Sequence, residues 1–231
     1  MTAKEFIGEL NKNKGDKVEG ELIKTFLYSL VISIAILGIA YFIKLRYIDG
    51  FIEKYSLYLL LASISIALIT SMIRQVRAYM NFACMSGMMI GMTAGMISGF
   101  NIGLYIGATN GMLYGSILGM LVGIFIGVWM GKCCGIMGVM EGVMAGFMGG
   151  LMGAMTAVMM INDNLKVAVV IISIVTWVIL ILLNYMIYKE MKENERQRKE
   201  DHTITILLTI ILIFIITWFM IYGPRSALFG G

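Results

Sequence analysis

Residues 87–135 read GMMIGMTAGMISGFNIGLYIGATNGMLYGSILGMLVGIFIGVWMGKCCG, with glycine at every fourth position from Gly87 to Gly135, thirteen in register. Between them stand almost only Met, Ile, Leu, Val, Phe and Tyr, and a looser repeat continues through Gly138, Gly142, Gly146, Gly150 and Gly153. In lipid, apolar side chains gain little by meeting one another, so helices associate where small residues let backbones approach. The stretch reads as a membrane-buried glycine zipper, with Gly87, Gly91, Gly95, Gly99, Gly115, Gly119, Gly123 and Gly127 as packing residues.

One helix over Phe82–Met160 would run roughly 120 Å, against a bilayer core of about 30 Å. The chain must fold back. Thr109-Asn110-Gly111 is a turn signal, and at Lys132-Cys133-Cys134 a charge interrupts the apolar run. These breaks predict helices near 82–108, 112–130 and 135–160. A four-residue step advances about 400° around a helix, so a glycine stripe creeps sideways along any one span. That creep leaves the unbroken register across Asn110-Gly111 without an explanation.

The rest of the chain agrees with a membrane protein: 59 % of its 231 residues are hydrophobic, 14 % are charged and one is proline. Further apolar runs cover 25–43, 55–73, 167–188 and 203–222. The expected fold is an all-α polytopic transmembrane bundle of about seven spans, with three tightly packed glycine-rich helices at its centre. It divides into a polar segment at 1–23, a two-helix hairpin at 24–80, the glycine and methionine-rich module at 81–161 and a final helix pair at 162–231. A charged loop interrupts that pair at 189–202. The first apolar run is long enough to stay as a signal anchor rather than a removed leader. With seven spans and the N-terminus in the cytoplasm, thirteen of the eighteen Lys and Arg fall inside, the side on which they accumulate. The expected location is the cell membrane.

Several classes of function find no support. No basic groove with interleaved aromatics suggests nucleic acid. No nucleophile has a histidine base, no carboxylate pair lies in a span and no Walker loop is present, so no enzymatic activity is expected. His202, the one histidine, sits in the charged loop and reads as solvated. Asn101, Thr93, Ser98, Thr109 and Ser116 read as interhelical hydrogen-bonding groups.

The chemistry that remains is that of sulfur. Seventeen of the 22 methionines lie between Met80 and Met160. Met85, Met88, Met89, Met92 and Met96 recur at helical spacing, and Met137, Met140, Met144, Met148, Met152, Met155 and Met159 form a second ladder. Thioethers and thiolates are soft ligands that favour Cu(I). In the expected topology Cys84, Cys133 and Cys134 share the cytoplasmic face, and Lys132 would favour a thiolate beside it. Cys84, Cys133, Cys134, Met85, Met88 and Met137 are therefore candidate metal ligands. Glu141, Met92, Met96, Met140, Met144 and Met148 are candidates for lining or charge-tuning a path. An acidic residue within a span invites a functional reading, and a headgroup-depth position is the structural alternative. Methionine also fills irregular gaps between close helices, and packing alone would give the same ladders.

The repeated GxxxG with the MxxxM pairs Met88–Met92 and Met92–Met96 is similar on its surface to the copper-transporter family, whose second and third helices carry those motifs. The three-span layout and fixed motif interval of that family are not reproduced, so no family is assigned. The leading expectation is a transporter or membrane-bound handler of soft metal ions such as Cu(I), working in the lipid bilayer. The alternatives are a non-catalytic scaffold, forming a homo-oligomer or docking another membrane subunit, and a small-ion channel.

Overall fold

The computed structural model describes residues 19–43, 51–79, 82–191 and 202–223. Among the described residues it is 94 % helical, with no strand. Seven long helices follow one another: α1 (Glu19–Ile43), α2 (Phe51–Ala78), α3 (Cys84–Asn110), α4 (Met112–Gly131), α5 (Gly135–Met159), α6 (Leu165–Met191) and α7 (His202–Tyr222). Six apolar segments are long enough to cross a membrane. The longest, Met112–Met159, is divided by a 3-10 turn at Lys132–Cys134 into α4 and α5.

Both expected breaks are present, and each carries a glycine that the backbone requires. Gly111 between α3 and α4 has φ 102°, and Gly135 at the start of α5 has φ 68°. With ψ of 174° and −149°, both lie where a side chain is strongly disfavoured. At the first turn Thr109 Oγ1 donates to Asn110 Oδ1 at 2.7 Å, and Asn110 Nδ2 donates to the Phe219 carbonyl at 2.7 Å. These bonds tie the turn to the end of α7.

The unbroken glycine register has a tertiary cause. A methyl added at Gly115 would lie 2.7 Å from Gly107 Cα, one at Gly123 2.8 Å from Gly99 Cα and one at Gly91 2.9 Å from Gly131 Cα. Each pair is equidistant from Gly111, so α3 and α4 are antiparallel and the turn itself is the pivot of the repeat. Across the second turn Gly131 faces Gly138, Gly127 faces Gly142 and Gly123 faces Gly146. The three helices therefore meet in layers of one small residue each: Gly91, Gly131 and Gly138; Gly95, Gly127 and Gly142; Gly99, Gly123 and Gly146; Gly103, Gly119 and Gly150; then Gly107, Gly115 and Ala154. Close backbone approach of this kind is what holds helices together where burial from water offers no gain.

The outer helices meet the module through hydroxyls, amides and one guanidinium. Tyr105 of α3 bonds Ser65 of α2 at 2.8 Å and Ser173 of α6 at 3.0 Å, and Trp177 Nε1 donates to Ser65 at 2.9 Å. Thr176 donates to Asn101 Oδ1 at 3.1 Å, and Gln75 Nε2 to the Asn184 carbonyl at 3.2 Å. These pairings, with Arg77 over the Trp129 ring, place the C-terminal ends of α2, α4 and α6 together.

Burial refines the expected arrangement. In the apolar stretches of α2 and α3, 72 % of residues are buried, against 33 % for Met112–Met159. The second span is thus interior rather than peripheral, and the glycine module lies to one side with the outer faces of α4 and α5 open. The reason is α2's polar stripe: Ser63, Ser65, Thr70, Ser71, Arg74 and Gln75 are all buried and need partners from several neighbours. Thr93, Ser98 and Ser116, expected to bridge helices, instead donate to carbonyls of their own helix, at Met89, Ala94 and Leu113. A helical hydroxyl reaches the carbonyl of the preceding turn readily.

Candidate thiol and thioether site

Two segments fifty residues apart bring all three cysteines to one end of the module. Cys84 opens α3, while Cys133 and Cys134 form the turn between α4 and α5. The Cys134 thiol donates to the Cys84 carbonyl at 3.1 Å, and the Cys133 thiol to the Met130 carbonyl at 3.2 Å. Gly87 makes this fit possible. A methyl there would collide with Cys134 Sγ and lie 2.9 Å from Cys133 Sγ, so both sulfurs rest against one bare stretch of α3.

The thiol chemistry departs from the expectation that Lys132 would favour a thiolate. Desolvation, followed by the neighbouring Cys133 and Cys84 thiols, pushes Cys134 up to about 11. Burial also pushes Cys133 up. Lys132 is exposed and is not among the causes of either shift. At neutral pH these are thiols, and a soft metal would have to displace their protons. Among the described residues, no three His, Cys, Asp or Glu side chains are arranged to hold a metal ion.

The methionines do not line a helix interface. Met85, Met89, Met92 and Met96 on α3 are exposed, as are Met137, Met140, Met144, Met148, Met152, Met155 and Met159 on α5. Met88 is half-buried, and Met80 lies outside the described residues. Because the four-residue repeat gives the inward stripe to glycine, the methionines beside it turn outward. Glu141, also half-buried, lies on α5 between exposed Met140 and buried Gly142. The site is therefore a patch of three thiols on the end of the module, with exposed Met85 and Met137 one and three residues away along the chain from Cys84 and Cys134.

No protein-family model, no curated protein and no solved structure matches the chain.

The buried polar positions on the other helices leave little signal in the sequence. Arg74 directly follows the apolar run 55–73, the place of a flanking charge, yet α2 runs on to Ala78 and leaves Arg74 only 3 % exposed. The available signal was the spacing Arg74-Gln75-Val76-Arg77, in which only the last residue need reach the surface. Gln75 and Asn184 show no pattern from which their pairing could be read.

Proposed function

We propose that this multi-pass membrane protein captures soft metal ions, Cu(I) above all, at the thiol patch formed by Cys84, Cys133 and Cys134. The observation that carries the reading is the convergence of all three cysteines, from distant parts of the chain, on one end of the module. Two or three sulfurs are a soft donor set that discriminates against hard cations. Binding would release thiol protons, and Glu141 on the adjoining helix would attract the cation or accept a proton. Passage through the middle of the module is no part of this proposal, because glycine backbones fill it. Met88, Met92, Met96, Met140, Met144 and Met148 would extend the soft surface along the outside of α3 and α5.

The test is metal analysis of protein purified in mild detergent under reducing, anaerobic conditions and loaded with Cu(I). The expected result is near-stoichiometric copper, lost in the Cys84→Ser, Cys133→Ser, Cys134→Ser triple variant while its helical content is retained. Copper-free wild-type protein after loading would overturn the proposal. A scaffold that assembles with a second copy or another membrane subunit is the second reading. It is favoured by the broad outer face of α4 and α5, where Leu113, Ile117, Leu121, Phe125, Met144 and Met148 are all exposed. Cross-linking in native membranes would reveal such an assembly independently of metal.

A further inference from the structure

Each of the twelve exposed methionines among the described residues lies on α3, α4 or α5. The outer faces of α1, α6 and α7 are also open, yet they carry branched residues such as Leu27, Val31, Ile174, Val178, Leu207 and Ile210, and no exposed methionine. Contact with lipid requires only an apolar surface, and branched side chains meet that need elsewhere on this chain. Filling gaps between close helices does not account for thioethers that stand outside the interface. We propose that the methionine face of α3 and α5 reduces hydroperoxides of membrane lipids, each thioether being consumed once as its sulfoxide. This activity needs no metal and is independent of the thiol patch.

The ladder on α5 runs from exposed Met137 to exposed Met159. That is about 33 Å along the helix, against a hydrocarbon core of about 30 Å, so sulfur is presented at every depth where an oxidised acyl chain carries its hydroperoxide. A thioether has no proton to lose and reacts at neutral pH as it stands. Its sulfur lone pair attacks the terminal oxygen of the O–OH group. The S–O bond forms as the O–O bond breaks, and the departing alkoxide takes the hydroperoxide proton to become the lipid alcohol. Sulfur is oxidised by two electrons to methionine sulfoxide, and the hydroperoxide is reduced by the same two. Sulfoxide formation disrupts cores in which methionine packs, but α3, α4 and α5 meet through glycine backbones. The reacting sulfurs lie outside those layers, so the module keeps its packing as they are consumed.

The experiment uses the full chain in phosphatidylcholine vesicles that contain phosphatidylcholine hydroperoxide, under nitrogen and with a metal chelator so that neither oxygen nor copper contributes. Chromatography follows the hydroperoxide and the lipid alcohol, and peptide mass spectrometry locates sulfoxide. The expected result is alcohol formed mole for mole with sulfoxide, at a rate unchanged between about pH 6 and 8 because the thioether has no proton to lose. Buried Met72, Met130, Met191 and Met220 should oxidise at least about tenfold more slowly, since oxidation follows exposure. Replacing the exposed methionines of α3 and α5 by leucine, a volume-conserving exchange, should lower the alcohol yield to near that of protein-free vesicles. An equal yield in that variant, or exposed methionines left unoxidised while hydroperoxide persists, would overturn the proposal. Should the full replacement fail to fold, Met89→Leu, Met92→Leu, Met144→Leu and Met148→Leu together take its place. A loss of about a third of the yield is then expected, four of the twelve exposed thioethers being absent, and a wild-type yield would overturn the proposal. Hydrogen peroxide in the water phase tests the source: relative to Met137 at the helix end, Met148 should oxidise faster with the lipid hydroperoxide, and identical profiles would overturn a lipid substrate.

Discussion

Gly123 and Gly38 are both helical glycines, yet they stand in opposite surroundings. A methyl at Gly123 would lie 2.8 Å from Gly99 Cα and 3.0 Å from the carbonyl oxygens of Gly95 and Gly146, all backbone atoms that cannot turn aside. At Gly38 nothing lies within 4 Å. Gly123→Ala should therefore destabilise the protein by about 1–3 kcal/mol through overpacking, partly offset by alanine's helix preference of about 1 kcal/mol. Gly38→Ala should be neutral or stabilising by up to about 1 kcal/mol. Reversible unfolding in mixed detergent micelles measures both, and equal effects at the two positions would refute the layered packing. The thiols yield a prediction at the same scale. With Cys134 pushed up to about 11 by desolvation and its neighbours, its alkylation should be slow at pH 8 and accelerate as pH rises toward 11, because the thiolate is the nucleophile. Mass spectrometry of labelled peptides follows this directly, and rapid labelling at pH 7 would contradict it.

At the scale of elements, the helices are fastened in two different ways. Within the module, α3, α4 and α5 touch through backbone. Between the module and the outer helices, side-chain hydrogen bonds do the joining, and Tyr105 is a hub because it reaches both α2 and α6. Tyr105→Phe should cost about 0.6–1.7 kcal/mol, the range for an interhelical bond in a membrane protein. Its effect should largely vanish in a Ser65→Ala, Ser173→Ala background if the hydroxyl acts through those two partners, which a double-mutant cycle would show. The turns were legible in advance, since an Asn-Gly pair and a lone charge are rare within apolar sequence. The helix bounds were less so: α1 and α2 extend past their apolar runs to Glu19 and Ala78. Polar residues at those ends still complete helical hydrogen bonds, and hydropathy does not register that.

For the whole molecule, the antiparallel order of the helices puts Cys84, the Lys132–Cys134 turn and the ends of α2 and α6 on one face. From the distribution of Lys and Arg, we propose that this face is the cytoplasmic one. A membrane-impermeant maleimide should then label Cys84 in inside-out vesicles and leave it unlabelled in intact cells; labelling from outside would reverse the orientation. The sequence by itself determined that helices cross the bilayer, that the glycine stretch folds back twice and where it turns, because length, hydropathy and turn chemistry are local properties. It also named the three cysteines as a group, since two segments one hairpin apart must share a face. Only the tertiary structure decided that the glycine register continues through Gly111 because paired layers mirror about the turn. It alone turned the methionines outward, drew α2 into the interior and buried Arg74 beside Thr25. A helix with apolar residues on every side carries no mark of which side is inward, and that choice falls to the small and polar residues that find partners on other helices.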